Sequence, residues 1–299
     1  MRGGQGNLAT QGFPANRTWK LLPHIARRYG MREDVKVIVG TGDNPATTIS
    51  TGCLGQGVPF ISLGTSGVLM LQAPHPHREA KEKKILNSLD NRHFRYLVQG
   101  ALQSNGTAYE WWNRRILQID DLSQIDDMVG KDRLSDSQLL FFPHLMGEKT
   151  LFADPNLRGA MLGLSASTTR CDLICAVMEG IAYGFRELAD HMHLDLTATS
   201  RIRLMGGGSR SAIWMQVTAD VLNITAEQTE GEKGAGLGIA LLAAYRCGLI
   251  PSAEERAEGR LCVKHAFAPR PEAAAIYAAK YPCYRRIHEA PKMVYASTF

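Results

Sequence analysis

With 299 residues, 44% hydrophobic and 21% charged, the chain has the composition of an ordinary globular protein and the length for one large or two medium domains. The net charge of +5 is spread along it, with only short basic clusters at Lys81–Lys84 and Arg285–Arg286, which suits an anionic small ligand and excludes a nucleic-acid partner. Six cysteines without a CxxC pair, the polar start MRGGQGNLATQGF and the lack of any apolar run of membrane length predict reduced, buried thiols in a soluble cytoplasmic protein with no membrane partner.

Residues 1–17 are rich in Gly and Asn and read as irregular, followed by a helix over Thr18–Tyr29 that Gly30 terminates. Short apolar strands are expected at Val35–Val39 and Phe60–Leu63, each running into a glycine-flanked polar turn, GTGDN at 40–44 and GTSG at 64–67. A short helix through 45–53 separates them. The second strand of a hairpin, Val68–Gln72, and a further strand at Phe94–Val98 come next. Helices over Ser104–Leu117 and Asp120–Val129 precede a segment, Phe141–Leu145, that leads into the polar loop MGEKTLFADPNLRG, too long to be only a connection. The pattern then gives a helix over Arg170–His193, a strand at Arg201–Met205, a triple-glycine turn, a helix over Ser209–Leu222, a strand at Ile224–Gln228 and a helix over Gly234–Arg246. A last helix over Pro271–Tyr284 is expected to pack on the outside. The order βββαβαβα predicts an α/β fold, a mixed sheet with flanking helices and a ligand site at strand ends.

The turns carry the chemistry. Asp43 stands between Gly42 and Asn44 at a helix start, where its carboxylate either serves as a hydrogen-bond acceptor or general base or simply caps the helix, with Pro45 in the first turn. Thr65 and Ser66 lie in a turn whose backbone N–H groups and hydroxyls suit a phosphate, although Gly-Thr-Ser-Gly is equally a plain hairpin turn. In Met205-Gly-Gly-Gly-Ser-Arg-Ser211, glycines between a strand and a helix allow a ligand to approach the backbone, or else form a tight connection capped by Ser209. It is not the GxGxxG dinucleotide fingerprint. The small residues of Gly234-Ala-Gly-Leu-Gly238 point to close helix packing. The pairs His75/His77 and His191/His193 lack acidic or cysteine partners at metal spacing and read as solvated. Trp111-Trp112 reads as packing, and Leu173, Val177, Ile181, Gly184, Phe185 and Leu188 as the face of a buried helix.

Six stretches in order, GTGDN, SLGTSG at 62–67, FFPHLMGEKTLFADPNLRGAMLGL at 141–164, DLICAVMEGIAYGFRE at 172–187, MGGGSRSAIWMQVTADVL at 205–222 and GAGLGIALLAAY at 234–245, resemble the C-terminal half of the FGGY carbohydrate kinases, most closely the xylulose kinases. The resemblance covers residues 31–285, and Gly159-x-x-x-Gly163-Leu with Asp172-Leu, Ala176 and Glu179 matches the family's second signature. It implies an actin-like ATPase (ribonuclease H-like) domain over residues 35–290. Residues 1–34 would be a lead-in from the interdomain region, and the N-terminal sugar-binding domain would be absent. It further implies ATP with Mg²⁺ and a small-molecule sugar as partners. Asp43 would be the catalytic base, with Asn44 beside the sugar. Thr65, with Gly64, Ser66 and Gly67, would hold the β/γ-phosphates of ATP, while Gly207, Gly208 and Ser211, with Gly106 and Glu110 at a helix start near the nucleotide, would border the adenosine. In EKTLFADPN, Lys149 stands where the family more usually has arginine, so a point charge replaces a fork-shaped donor.

The function implied is ATP-dependent phosphorylation of a ketopentose, D-xylulose first, with ribulose, gluconate and glycerol as alternatives. A different reading is a non-catalytic domain that binds adenine nucleotide or self-associates, as a homodimer for instance, because removing one wall of a closing cleft removes positioning and water exclusion together.

Overall fold

The computed structural model describes residues 18–53, 57–73, 84–86, 96–130, 138–230 and 234–287. The irregular stretch expected over 1–17, the His75/His77 pair and most of the basic run at 81–84 lie outside them.

In chain order, β1 (Thr18–Lys20) precedes α1 (Pro23–Arg28), and β2 (Lys36–Ile38) precedes α2 (Asp43–Ser50). A hairpin of β3 (Phe60–Leu63) and β4 (Gly67–Ala73) leads to β5 (Lys84–Leu86) and β6 (Tyr96–Leu102). Next come α3 (Gly106–Glu110), which runs on as a π-helical turn over Trp111–Ile116, then α4 (Ile125–Val129), β7 (Leu140–Phe142) and β8 (Ala160–Leu162). The long α5 (Arg170–His191) is followed by β9 (Arg201–Met205), α6 (Ala212–Leu222), β10 (Thr225–Thr229) and α7 (Ala235–Arg246). Finally α8 (Ala253–Glu258), β11 (Val263–Phe267) and α9 (Pro271–Ile287) complete the described chain.

The main sheet has the order β11-β10-β9-β3-β4-β6-β5. Its centre, β10, β9 and β3, is parallel, and the other pairings are antiparallel. Side chains alternate along each strand, so the two faces read as two sets. Ile61, Leu69 and Val98 join the large core under α5, α6 and α9. Their neighbours Phe60, Met70 and Leu97 point the other way, into a smaller cluster with Cys53 and Val58. Beyond it, Ile49, Leu241, Leu242, Ala253 and Ala257 hold α2, α7 and α8 together. Capping fixes the core helix: the Thr169 hydroxyl accepts from the Asp172 N–H while the Asp172 carboxylate accepts from the Thr169 N–H.

Several expectations are corrected here. Thr18–Lys20 is a strand, not the start of a helix: Pro23 restricts Leu22 to extended backbone (φ −63°, ψ 132°), so the helix begins only at Pro23. Its partner β2 lies outside the main sheet, in a two-stranded antiparallel pair. The expected outer helix α9 is part of the core, with Tyr277 and Tyr284 fully buried and Tyr183 stacked 5.1 Å from Tyr284. Three hydroxyls that its apolar faces bury find partners: Tyr277 donates to Glu179 (3.0 Å), Tyr281 to Asp190 (2.6 Å), and Tyr183 to the Tyr277 carbonyl (3.2 Å). Four elements, β5, β8, α8 and β11, are not legible in the sequence. All six cysteines are free, but only Cys53 and Cys175 are buried; Cys262 and Cys283 are exposed. Among the described residues no group of three or more His, Cys, Asp or Glu side chains is placed to hold a metal, and no helix is long and apolar enough to cross a membrane.

Candidate active site

The parallel strands β3 and β9 end side by side, and each ends in a glycine turn. Register pairs Leu63 with Gly67 across the first turn, which leaves Thr65 and Ser66 exposed at its tip. The second turn starts at Gly206, whose φ of +91° is a conformation that glycine adopts without strain. A β-carbon there would also stand 2.7 Å from the Leu63 carbonyl oxygen, and one at Gly208 would stand 2.8 Å from the Trp214 ring. Both glycines are therefore required by packing. Gly207 differs: nothing lies within 4 Å of its β-carbon position, so it faces open space.

A third turn locks onto the first. The Gly106 N–H donates to the Gly64 carbonyl at 2.9 Å, the Asn105 side-chain amide donates to the same oxygen at 2.7 Å, and the Thr107 N–H donates to the Thr65 carbonyl at 3.0 Å. This approach needs glycine at 106, where a β-carbon would be 2.4 Å from the Gly64 oxygen. The turn that presents Thr65 and Ser66 thus has its Gly64 and Thr65 carbonyls fixed from behind.

Beside the glycine turn a cavity of about 550 Å³ opens between the ends of β9 and β10, lined by Gly206, Gly207, Ser209, Arg210, Gln228, Glu230, Gly234 and Lys264 among others. The expected residues Gly208 and Ser211 do not line it. Ser211 is occupied as the cap of α6, accepting from the Trp214 N–H at 3.0 Å and donating to the Asp126 carboxylate at 2.5 Å. The cap is therefore Ser211, not Ser209, which lies one turn earlier and donates to the Gly206 carbonyl. Glu110 is exposed and pairs with Arg114 at 3.1 Å, an i,i+4 pair on the helix surface.

Asp43 is exposed at the first turn of α2, after an extended Gly42, and its Oδ1 accepts from the Asn44 N–H at 2.8 Å. The Asn44 side chain donates to Gln99 on β6 at 3.0 Å, which ties the start of α2 to the sheet. Gln99 pairs in register with Met70, three residues beyond the turn residue Gly67, so this tie lies roughly 10 Å along the strand from the turn. The far end of α2 is held by Arg203 of β9, which is 1% exposed. Its guanidinium donates to the Thr51 and Gly52 carbonyls at 3.0 and 2.7 Å and pairs with Glu227 at 3.2 Å. A cation at a helix C-terminus complements the carbonyls left open there. Along its length α2 is packed on α7 so closely that a β-carbon at Gly238 would stand 1.7 Å from the Ala46 carbonyl oxygen, as the small-residue run predicts.

Sequence reasoning missed Asn105, Gln99, Arg203, Asp126 and Lys264. The first four are polar side chains whose partners lie far away in the chain, and Lys264 stands on a strand that was not read.

Taken together these features define an α/β protein with the actin-like ATPase fold. The family model for the C-terminal domain of the FGGY carbohydrate kinases matches residues 60–247, and the chain belongs to that family. Xylulose kinase of Bacillus subtilis (strain 168) is 30% identical over 268 residues, which are 90% of this chain and 54% of that protein. Gluconokinase of the same organism is 25% identical over 244 residues, 77% of this chain and 47% of that one. The chain thus spans about half the length of the relatives it matches. The crystal structure of ligand-bound xylulose kinase from Lactobacillus acidophilus superposes with a TM-score of 0.83 at 22% identity, over 95% of this chain and 58% of that one, a likeness of fold.

Proposed function

We propose that residues 35–290 are the nucleotide-binding half of an ATP-dependent sugar kinase, acting in the cytoplasm on a ketopentose such as D-xylulose. The observation that carries this is the packing of three glycine turns at one end of the sheet, one presenting exposed hydroxyls and another flanking a 550 Å³ cavity with its open glycine. Thr65 and Ser66, with Gly64 and Gly67, take the phosphates of ATP. The adenosine lies against Gly207, with Gly208 and Ser211 supporting that turn from behind and Gly106 and Glu110 on the side of α3. Asp43 accepts the proton of the sugar hydroxyl as its oxygen attacks the terminal phosphorus, and Asn44 orients the sugar. Mg²⁺ bound to the phosphates would neutralise developing charge, and positioning supplies most of the rest of the catalysis.

A second reading, a nucleotide-binding domain that docks or self-associates without turnover, is favoured by one region. Trp19, Leu22, Tyr29, Met31, Val37 and Val39 are each 39% or more exposed and lie together in one short stretch of sequence. An ADP-release assay with ATP–Mg²⁺ separates the readings, run with D-xylulose, ribulose, gluconate and glycerol in turn. Turnover that depends on D-xylulose and vanishes in Asp43→Ala is the expected result. Turnover retained by Asp43→Ala would remove the residue as base, and nucleotide binding without turnover would favour the second reading.

A further inference from the structure

The segment that carries Asp43 is wrapped around one helix. Lys36 of β2 donates from its ammonium to the Cys247 carbonyl at 3.3 Å, at the C-terminal end of α7. Two residues on, Ile38 packs on the apolar cluster that Leu241 and Leu242 of α7 share with Ile49 of α2. Two further on, a β-carbon on Gly40 would stand 3.9 Å from the Ile239 side chain. The strand path from Lys36 to Gly40 and the helix path from Cys247 back to Ile239 both span roughly 12–13 Å, so the two keep pace. The chain then turns, and α2 returns beside α7 in the same direction, with Ala46 against Gly238 and Ile49 in the cluster with Leu241 and Leu242. The turn at 40–43 therefore closes over the N-terminal half of α7.

This wrapping refers the place of Asp43 to α7. Asp43 precedes Ala46 by one helical turn, about 4.5 Å along α2, and its hydrogen bond to the Asn44 N–H is local and travels with the helix. At Gly238 the two helices meet backbone to backbone: a β-carbon there would stand 1.7 Å from the Ala46 carbonyl oxygen and 3.0 Å from the Ala46 α-carbon. An ordinary C···O contact is about 3.3 Å, so any side chain at 238 drives the helices apart by about 1.5 Å. The obstructing atoms belong to the main chain, so no shortening of a side chain on α2 relieves it. One turn before Gly238, Gly234 lines the nucleotide cavity, which places the same end of α7 against both the cavity and the Asp43 turn. The phosphate turn takes its position elsewhere, from Phe185 of α5 against Gly67 and from the Gly106 N–H on the Gly64 carbonyl. A displacement of α2 therefore moves Asp43 relative to that turn.

We propose that Gly238 is a positioning residue for Asp43, its close contact with Ala46 setting the distance between the base and the phosphate turn. The proposal rests on the reading of Asp43 as base and of the glycine turns as the ATP site, and adds what holds the two in register. A misplacement of about 1 Å costs on the order of a hundredfold in rate where reacting groups must be aligned. Contacts to the nucleotide on the phosphate turn lie outside the displaced helix. The loss at Gly238 therefore falls on kcat and spares nucleotide binding.

The test compares the full chain with three variants. Gly238→Ala overpacks the contact, Ile239→Ala withdraws the side chain that faces Gly40 without overpacking, and Gly236→Ala adds a carbon to open space on the same helix. ADP release with D-xylulose, calorimetric titration with ATP–Mg²⁺ and amide NMR signals are read well below the melting temperature. Gly238→Ala is expected to lower kcat about 10- to 100-fold while KM and affinity for ATP change by less than about twofold. It is also expected to displace the amide signals of residues 42–44 and leave those of 64–67 in place. Ile239→Ala is expected to act in the same sense, by about threefold in kcat, and Gly236→Ala to change neither readout. An unchanged kcat in Gly238→Ala, or a loss of ATP affinity with displaced signals at 64–67, overturns the proposal. Should that variant not fold, Ile239→Ala decides by the same readouts. If the unsubstituted chain shows no sugar-dependent turnover, the kinase reading fails by itself and the amide signals decide: displacement confined to 42–44 sustains the positioning, and any other pattern overturns it.

Discussion

The two faces of the main sheet are built differently. Under one lies a continuous core in which α5 contributes fifteen buried residues and α9 adds three buried tyrosines. On the other, α2 is held by a small apolar cluster, one close helix contact, one asparagine and one buried arginine. The glycine turns draw their rigidity from the thick side: a β-carbon on Gly67 would stand 2.5 Å from Phe185 of α5, and Gly208 rests on Trp214 of α6. Asp43 stands on the thin side. The phosphate turn is thus bolted to the main core, while the carboxylate proposed as base is carried by a helix that packs on α7 and α8 around a separate, smaller cluster. A layer with its own small apolar cluster can open at lower free energy than the main core, and a base that must meet a substrate as a cleft closes is suitably placed on such a layer.

Breaking the thin side at its buried ion pair should have the largest effect. Arg203→Met leaves Glu227 without its closest partner and the Thr51 and Gly52 carbonyls without their donor, and the expected cost is about 3–5 kcal/mol. Denaturant unfolding reads the total. Hydrogen exchange reads its location, with protection lost first over residues 43–50; uniform loss across α5 as well would show that the two faces are one cooperative unit.

A smaller effect follows from the helix contact. Gly238→Ala forces α7 away from α2 and should destabilise by about 1–3 kcal/mol, as overpacking does. Its control lies two residues earlier on the same helix. Gly236 has nothing within 4 Å, so Gly236→Ala should be neutral or stabilising by up to about 1 kcal/mol. Equal melting temperatures for the two variants would contradict the close packing of α2 on α7.

Much of this arrangement is legible in the sequence, because it rests on local signals. The short apolar runs Phe60–Leu63 and Val68–Gln72 on either side of GTSG specify a hairpin, and the small residues of 234–238 specify a close contact, without any knowledge of partners. What escapes is what depends on distant partners. Arg203 reads as an ordinary strand residue until β10 places Glu227 beside it and α2 ends at Gly52. Ser211 looks like a free hydroxyl in a glycine turn until Asp126, 85 residues away, takes it for a helix cap. The helix α9 is legible but its place in the core is not, since Tyr277 and Tyr284 find Glu179 and Tyr183 only once α5 lies beside them, and Thr18–Lys20 pairs as a strand with β2, which stands opposite it.

The most direct test of the nucleotide site uses the one glycine of the second turn that faces open space. Calorimetric titration with ATP–Mg²⁺ would be run on the chain and on Gly207→Val, whose added carbons enter open space at the cavity rim. The predicted result is an unchanged melting temperature with ATP affinity at least about tenfold lower, a loss of about 1.4 kcal/mol or more. Equal affinity in the two proteins, or no binding by the unsubstituted chain, would contradict the placement of a nucleotide against this turn.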